Sequence, residues 1–297
     1  MMRVTGKMLN LQLLENLQNN YARLQRFQDQ LASGQRIRRP GDDPVGVGYV
    51  MRYDTELSRS EEFLQNVSTA LGWLKTMDSL MQQSMNVLHR ARTLVQEAAT
   101  GTVPADARLS IAAEFKQLKE QMVTIGNSTY DGRFMFNGQK TDVAPYTLAN
   151  AANDVTDRGV YRLNVAPGVS VPVSIPGEDI FGQAGSAQNV FKVLDDVIAH
   201  LQANDQNALL QDIAKIEERM DAIQRSWAEI GARTNRFELI QNRILDEQIS
   251  LQKLRSDVND VDMAEVITQL KTQESVLQAS LAVGARIAQV SLVDFLK

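Results

Sequence analysis

Apolar residues return every three or four positions over most of this chain, and the places where they stop doing so divide it. Leu14, Leu17, Tyr21, Leu24 and Leu31 form the first stripe, with Gln12, Glu15, Asn19 and Asn20 between them, the pattern of an amphipathic, coiled-coil-like helix. Ser33-Gly34 suits its end, because glycine accepts the left-handed C-cap conformation, and Pro40 forces Arg39 away from helical geometry. Beyond the joint "LASGQRIRRPGDDPVG" (31–46) the spacing resumes, with Leu57, Leu64, Val67, Leu71, Leu74, Met81, Met85 and Leu88 on one face. It fades at Gly101 and Pro104, and a second helix is predicted over about 105–125, carrying Leu109, Phe115, Leu118 and Met122. Two helices joined by so short a turn should pack antiparallel.

The texture then changes. Glycine and proline accumulate, and Val160, Arg162, Asn164 alternate with Tyr161, Leu163, Val165, as do Val169, Val171, Val173 and Ile175 with their neighbours, which is strand patterning. Pro172 argues for an edge strand or a bulge. From Asn189 helical spacing returns, and Leu209, Ile213, Ile216, Met220, Ile223, Trp227 and Ile230 begin a seam that runs through Phe237, Ile240, Ile244, Leu251 and Leu254 without a proline. One unbroken helix over 205–255 would be about 75 Å long and would need partners along its length. "DVNDVDMAE" (257–265) interrupts the seam, and a last helix follows with Ile267, Leu270, Leu277 and Leu281, rich in small residues towards its end and closing on Phe295 and Leu296.

Folded in half, this order brings the two termini together and leaves the strand-patterned piece at the far end. The expected fold is mainly α: a long antiparallel helical rod with coiled-coil terminal helices and a small β-rich inserted domain. The expected divisions are an N-terminal inner helix and spoke (1–46), ascending helices (47–131), the β-rich piece (132–186), a descending helix (187–256) and a C-terminal inner helix (257–297). Each terminal stripe alone has little to bury against, so in isolation such segments stay disordered and fold on meeting their neighbours, as in a polymerising subunit.

Composition narrows the chemistry. With 43% hydrophobic and 23% charged residues the chain buries an ordinary core, and only 6% aromatics favours thin helical packing. There is no cysteine, which rules out disulfides, thiolate metal sites and cysteine nucleophiles, and the two histidines, His89 and His200, have no second histidine nearby. A net charge of −5 is a poor footprint for nucleic acid. The terminal helices carry Gln and Asn rather than Lys on their polar faces, which favours helix partners over a membrane surface. No apolar run is long enough to span a bilayer, and the N-terminus lacks the pattern of a secretory signal peptide. Catalytic carboxylates must oppose each other across a substrate, whereas adjacent Asp42 and Asp43 usually point apart and suit helix capping and pairing with nearby arginines. "DVNDVD" is not a calcium loop, since Asp262 stands where the glycine and Thr268 where the glutamate would be, and it reads as a helix break with N-cap acids. No enzyme motif and no cofactor or metal site is found, so none is expected.

The joint 31–46, "IGNSTYDGRFMFNGQKTDVAPY", "EIGARTNRFE" and "DMAEVITQLKTQESVLQASLAVGARIAQVSLVDFL" together resemble bacterial flagellins and their relatives, over both ends and most of the helical part. Pro44, "YDGRFMFNGQKTD" and the ending "SLVDFL" are more similar to the family's hook–filament junction members than to the filament subunit, flagellin, which is the alternative. The resemblance implies export through the flagellar type III channel without a cleaved signal peptide, a chaperone on the C-terminal segment, and an extracellular place in the flagellum. It implies a homo-oligomeric ring or helical layer seated on hook-associated protein 1 and facing flagellin. The assembly contacts it implies are Leu14, Leu17, Tyr21, Leu24 and Leu31 on the first helix, Arg36, Arg38, Arg39, Asp42 and Asp43 at the joint, and Leu270, Leu277, Leu281 and Phe295 on the last, with purely local ion pairs at the joint as the other possibility.

Overall fold

The computed structural model describes the backbone of residues 6–100 and 103–295, and side chains at residue 8 and over 11–100 and 103–286. Seven helices are described: α1 (Gly6–Ser33), α2 (Pro44–Ala99), α3 (Ala105–Gly126), α4 (Gly177–Phe181), α5 (Val190–Ala203), α6 (Gln206–Asn259) and α7 (Met263–Phe295). Two antiparallel pairs of strands lie between α3 and α4: β1 (Thr129–Tyr130) with β2 (Arg133–Phe134), and β3 (Arg162–Ala166) with β4 (Val169–Pro172). The expected mainly helical fold is what is found, and the proline-free seam is one helix of 54 residues.

Residues 59–247 form one compact unit. Its core runs along one face of α2, from Val67 through Trp73, Met77, Met81 and Leu88 to Val95, and takes Phe115 and Met122 from α3, Val193 and Val197 from α5, and Leu209, Ile216, Ile223, Ile230 and Phe237 from α6. Polar contacts at its margin join the same helices: the Lys119 ammonium lies 2.7 Å from the Asp195 carboxylate, and Trp227 Nε1 donates to Asp78 at 2.6 Å. Arg90 of α2 meets Glu114 of α3 at 2.6 Å, as the short intervening turn requires.

The strand-patterned piece is less regular than its sequence suggests. Tyr161, Leu163 and Val165 do point inward and Arg162 and Asn164 outward, but β3 and β4 form a lone hairpin, with a shift of register between Asn164 and Ala166. Pro172 closes β4, and in a two-stranded ribbon every strand is an edge. The β1–β2 hairpin turns on Asp131-Gly132, both at positive φ (50° and 72°), as the tightest two-residue hairpin turns demand. Met135, Phe136, Tyr146, Val171, Ile175 and Phe181 from this region enter the same core as the helices, so it has no separate core of its own. Phe136, Tyr146, Phe181 and Phe191 pack ring to ring with centroids 4.8–5.6 Å apart.

Residues 1–58 and 248–297 form the second unit. Here α1 and α7 lie antiparallel along each other. They are joined to α2 and α6 by two breaks, and the breaks are stitched together: Gln35 and Asp260 face each other as an antiparallel β-bridge, Arg36 N–H donates to Asn259 C=O (2.6 Å) and Val261 N–H to Gly34 C=O (3.1 Å). Gly34 sits at φ 68°, in the left-handed region expected of the residue after α1, and its N–H reaches back to Gln30 C=O.

Candidate assembly surface

The local chemistry of the joint follows from its two chain reversals. Asp43 precedes α2 and accepts the Gly46 N–H at 2.9 Å, which makes it the N-cap. Asp42 accepts from the backbone N–H groups of Arg39 (3.0 Å) and Arg38 (3.3 Å), and these two donors hold its carboxyl below the ordinary carboxylate range. Arg36 spans the two breaks, donating through Nη2 and Nε to the Val258 C=O at 2.7 and 3.2 Å and lying 3.9 Å from Asp43. Arg38 lies 3.5 Å from Asp29. Ile37 is buried, and Gln30 beneath it donates to Arg36 C=O. Asp262 caps α7 by accepting from Ala264 and Glu265 N–H groups, as its place in "DVNDVD" suggests. Arg26, Arg36, Arg38 and Arg39 line a cleft of about 280 Å³ together with Asp29 and Asp42, so the joint presents a mostly cationic face on an acidic protein. Replacing Asp43 with alanine is expected to cost about 1 kcal/mol of local stability and to speed amide exchange over residues 46–50 by about fivefold, read by hydrogen–deuterium exchange.

Alongside the joint, α1 and α7 meet through a regular seam. On α1 it is made of Leu13, Leu17, Asn20, Leu24, Phe27 and Leu31, all partly buried, stepping by four and three. On α7 it is made of Val266, Leu270, Gln273, Leu277, Ser280 and Gly284, with the same steps. Gly284 lets the helices approach, since a Cβ there would lie 3.0 Å from Leu13 Cδ2.

Of the expected contacts, Leu17, Leu24, Leu31, Leu270 and Leu277 lie in this seam. Leu14 and Tyr21 do not: they are more than half exposed, on an outer row of α1 with Leu11 and Met8. Leu281 is 45% exposed on α7, away from the seam. Phe295 ends α7, and its side chain lies outside the described residues. Leu13 and Phe27 were legible as apolar neighbours of the stripe, but the phase of the seam depends on Asn20, Gln273 and Ser280, polar residues that a search for apolar spacing passes over.

The same unit leaves further apolar side chains uncovered: Val45, Tyr49 and Met51 on the first turns of α2, Ile249 and Leu254 on the end of α6, and Ile267, Val276 and Val283 on α7. Single exposed apolar residues are common on soluble proteins, but this unit exposes them on all four of its long helix segments, which makes it the candidate for contact with other chains. Among the described residues no group of three His, Asp or Glu side chains is placed to hold a metal ion. No described helix is long and apolar enough to cross a membrane.

Residues 4–141 match the N-terminal helical region of bacterial flagellin, and residues 213–296 its C-terminal helical region. The chain is 23% identical to flagellar hook-associated protein 3 of Escherichia coli (strain K12), over 100% of both chains. It is 27% identical to the flagellin of Bacillus subtilis (strain 168), over 97% of each. The flagellar junction protein FlgL of Legionella pneumophila shares its fold, with a TM-score of 0.57 and 16% identity over 70% of this chain and 100% of that one.

Proposed function

The chain belongs to the flagellin family and is a structural component of the bacterial flagellum; we propose that it forms the junction between hook and filament. Full-length similarity to a hook-associated protein 3 supports this, and so do the junction-like sequence features at Pro44 and the C-terminal "SLVDFL". The observation that carries the reading is the second unit itself. Its paired terminal helices are held in register by a backbone-stitched joint and still leave apolar side chains exposed on α1, α2, α6 and α7. Copies of the chain cover those side chains in a ring or helical layer, with Leu14, Tyr21 and Leu281 meeting neighbouring subunits and the cationic face of the joint meeting acidic groups across the interface. The layer sits on hook-associated protein 1 and offers flagellin a family-like surface on its other side. The chain reaches that place by flagellar export, escorted by a chaperone on its C-terminal segment, and acts without catalysis.

The similarity to a flagellin keeps the filament subunit as a second reading. Deleting the gene separates the two. The junction role predicts hooks without filaments and abundant monomeric flagellin in the medium; bald hooks with no shed flagellin identify the filament subunit, and normal filaments and motility in a strain with one copy of the gene refute both.

A further inference from the structure

One cleft in the unit at 59–247, of about 470 Å³, is lined by Arg133, Gln139, Thr141, Val160, Tyr161 and Arg162. Its walls are fixed by contacts outside it. Gln139 N–H donates to the Asp157 carboxylate at 2.7 Å, and Thr141 C=O accepts the Phe134 N–H at 2.8 Å. Tyr161 N–H donates to Ser174 Oγ at 2.8 Å, and its ring lies 5.5 Å from that of the buried Trp73. Arg162 donates through Nε to Ser170 Oγ (3.1 Å) and through Nη2 to Ser170 C=O (2.9 Å). The Arg133 guanidinium sits over the Tyr161 ring, 6.0 Å from its centroid.

These anchors leave cationic donors uncommitted. Arg162 spends two of its five N–H groups on Ser170, and the Arg133 side chain has no hydrogen-bond or ion-pair partner among the described residues. No carboxylate lines the cleft, although residues 59–247 carry 24 Asp and Glu against 18 Lys and Arg. Two held guanidinium groups match a carboxylate or a phosphate. The volume falls in the range of small-molecule sites and exceeds what a lone oxyanion fills. Beside the arginines, the Gln139 amide and the Thr141 hydroxyl suit hydroxyl groups, and Val160 with Tyr161 suits the C–H face of a sugar ring. We propose that this cleft binds an acidic sugar, with Arg133 and Arg162 taking its carboxylate or phosphate and Gln139 and Thr141 its hydroxyls.

The test uses the full-length chain, and because the cleft lies within residues 59–247 it needs no order in the terminal helices. Backbone amide and arginine Nε–H signals of residues 133–141 and 160–162 are followed by NMR as glucuronate or glucose 6-phosphate is added at constant ionic strength. At least one of the two is expected to shift them with a Kd of the order of 1 mM, about tenfold or more tighter than glucose or inorganic phosphate, and which one does so separates a carboxylate from a phosphate ligand. Arg133→Gln and Arg162→Gln are each expected to weaken that binding about tenfold. If Arg162→Gln disturbs β4, Arg133→Gln carries the test alone, since that side chain has no hydrogen bond within the described chain to lose. Acidic sugars that bind no better than glucose or inorganic phosphate overturn the proposal, as does an affinity unchanged by Arg133→Gln. Shifts of the same signals on raising the protein concentration without sugar also overturn it, by assigning the cleft to a second copy of the chain. None of these outcomes depends on whether the chain serves as a junction or a filament subunit.

Discussion

Leu277→Asp gives a protein whose residues 59–247 fold normally and which cannot assemble. Leu277 is 9% exposed and lies in the α1–α7 seam between Gln273 and Ser280, so the substitution removes a buried leucine and puts a carboxylate into the seam at the level of Asn20 on the facing helix. The loss of pairing free energy is about 3 kcal/mol or more, enough to separate two helices with no other extensive apolar partner within the chain. The unit at 59–247 is expected to keep its amide protection, and cells carrying only this variant should be non-motile. Normal assembly by this variant would refute the seam's role. Leu281→Asp supplies the contrast. That residue is exposed in the monomer, so the change should move monomer stability by no more than about 0.5 kcal/mol, and a failure to assemble would then come from the outer surface.

Phe181→Ala has its effect in the other unit. The ring is fully buried in a short helix and packs against Phe136, Tyr146 and Phe191 at centroid distances of 5.2, 5.5 and 5.6 Å. These rings bring together the turn-rich segment after β2, α4 and α5, so the cavity left by alanine loosens the attachment of the whole region between α3 and α5. A loss of about 3–5 kcal/mol is expected, seen as a fall in melting temperature of roughly 10 °C by circular dichroism. A melting temperature unchanged within error would mean that this region contributes little to the cooperative core.

The long helices were legible because their cores are one-dimensional: a face that repeats every three or four residues over 54 positions leaves little doubt about period or continuity. The caps at Asp43 and Asp262 and the left-handed Gly34 were legible for local reasons of the same kind. The first stripe combines two faces of α1: Leu17, Leu24 and Leu31 lie in the seam with α7, Leu14 and Tyr21 lie outside it, and the seam itself passes through Asn20. Spacing alone cannot tell a polar residue that breaks a stripe from one that belongs to it; the hydrogen bonds to Gln273 and Ser280, more than 250 residues away in sequence, decide that. The region after β2 was read as richer in strand than it is. Its apolar residues are anchored on helices from elsewhere in the chain, and such anchoring needs turns and single inserted rings rather than extended ladders.

The stitch between residues 34–36 and 259–261 is made by main-chain groups. Side chains at 35 and 260 can therefore vary widely while the geometry of the crossing persists, provided that neither residue becomes proline. A library randomised at these two positions should return many functional variants of unlike charge and size, whereas Gly34, whose backbone conformation carries a steric penalty for other residues, should return few. Chains of this kind could thus diversify the outward chemistry of the crossing while its mechanical setting is inherited unchanged.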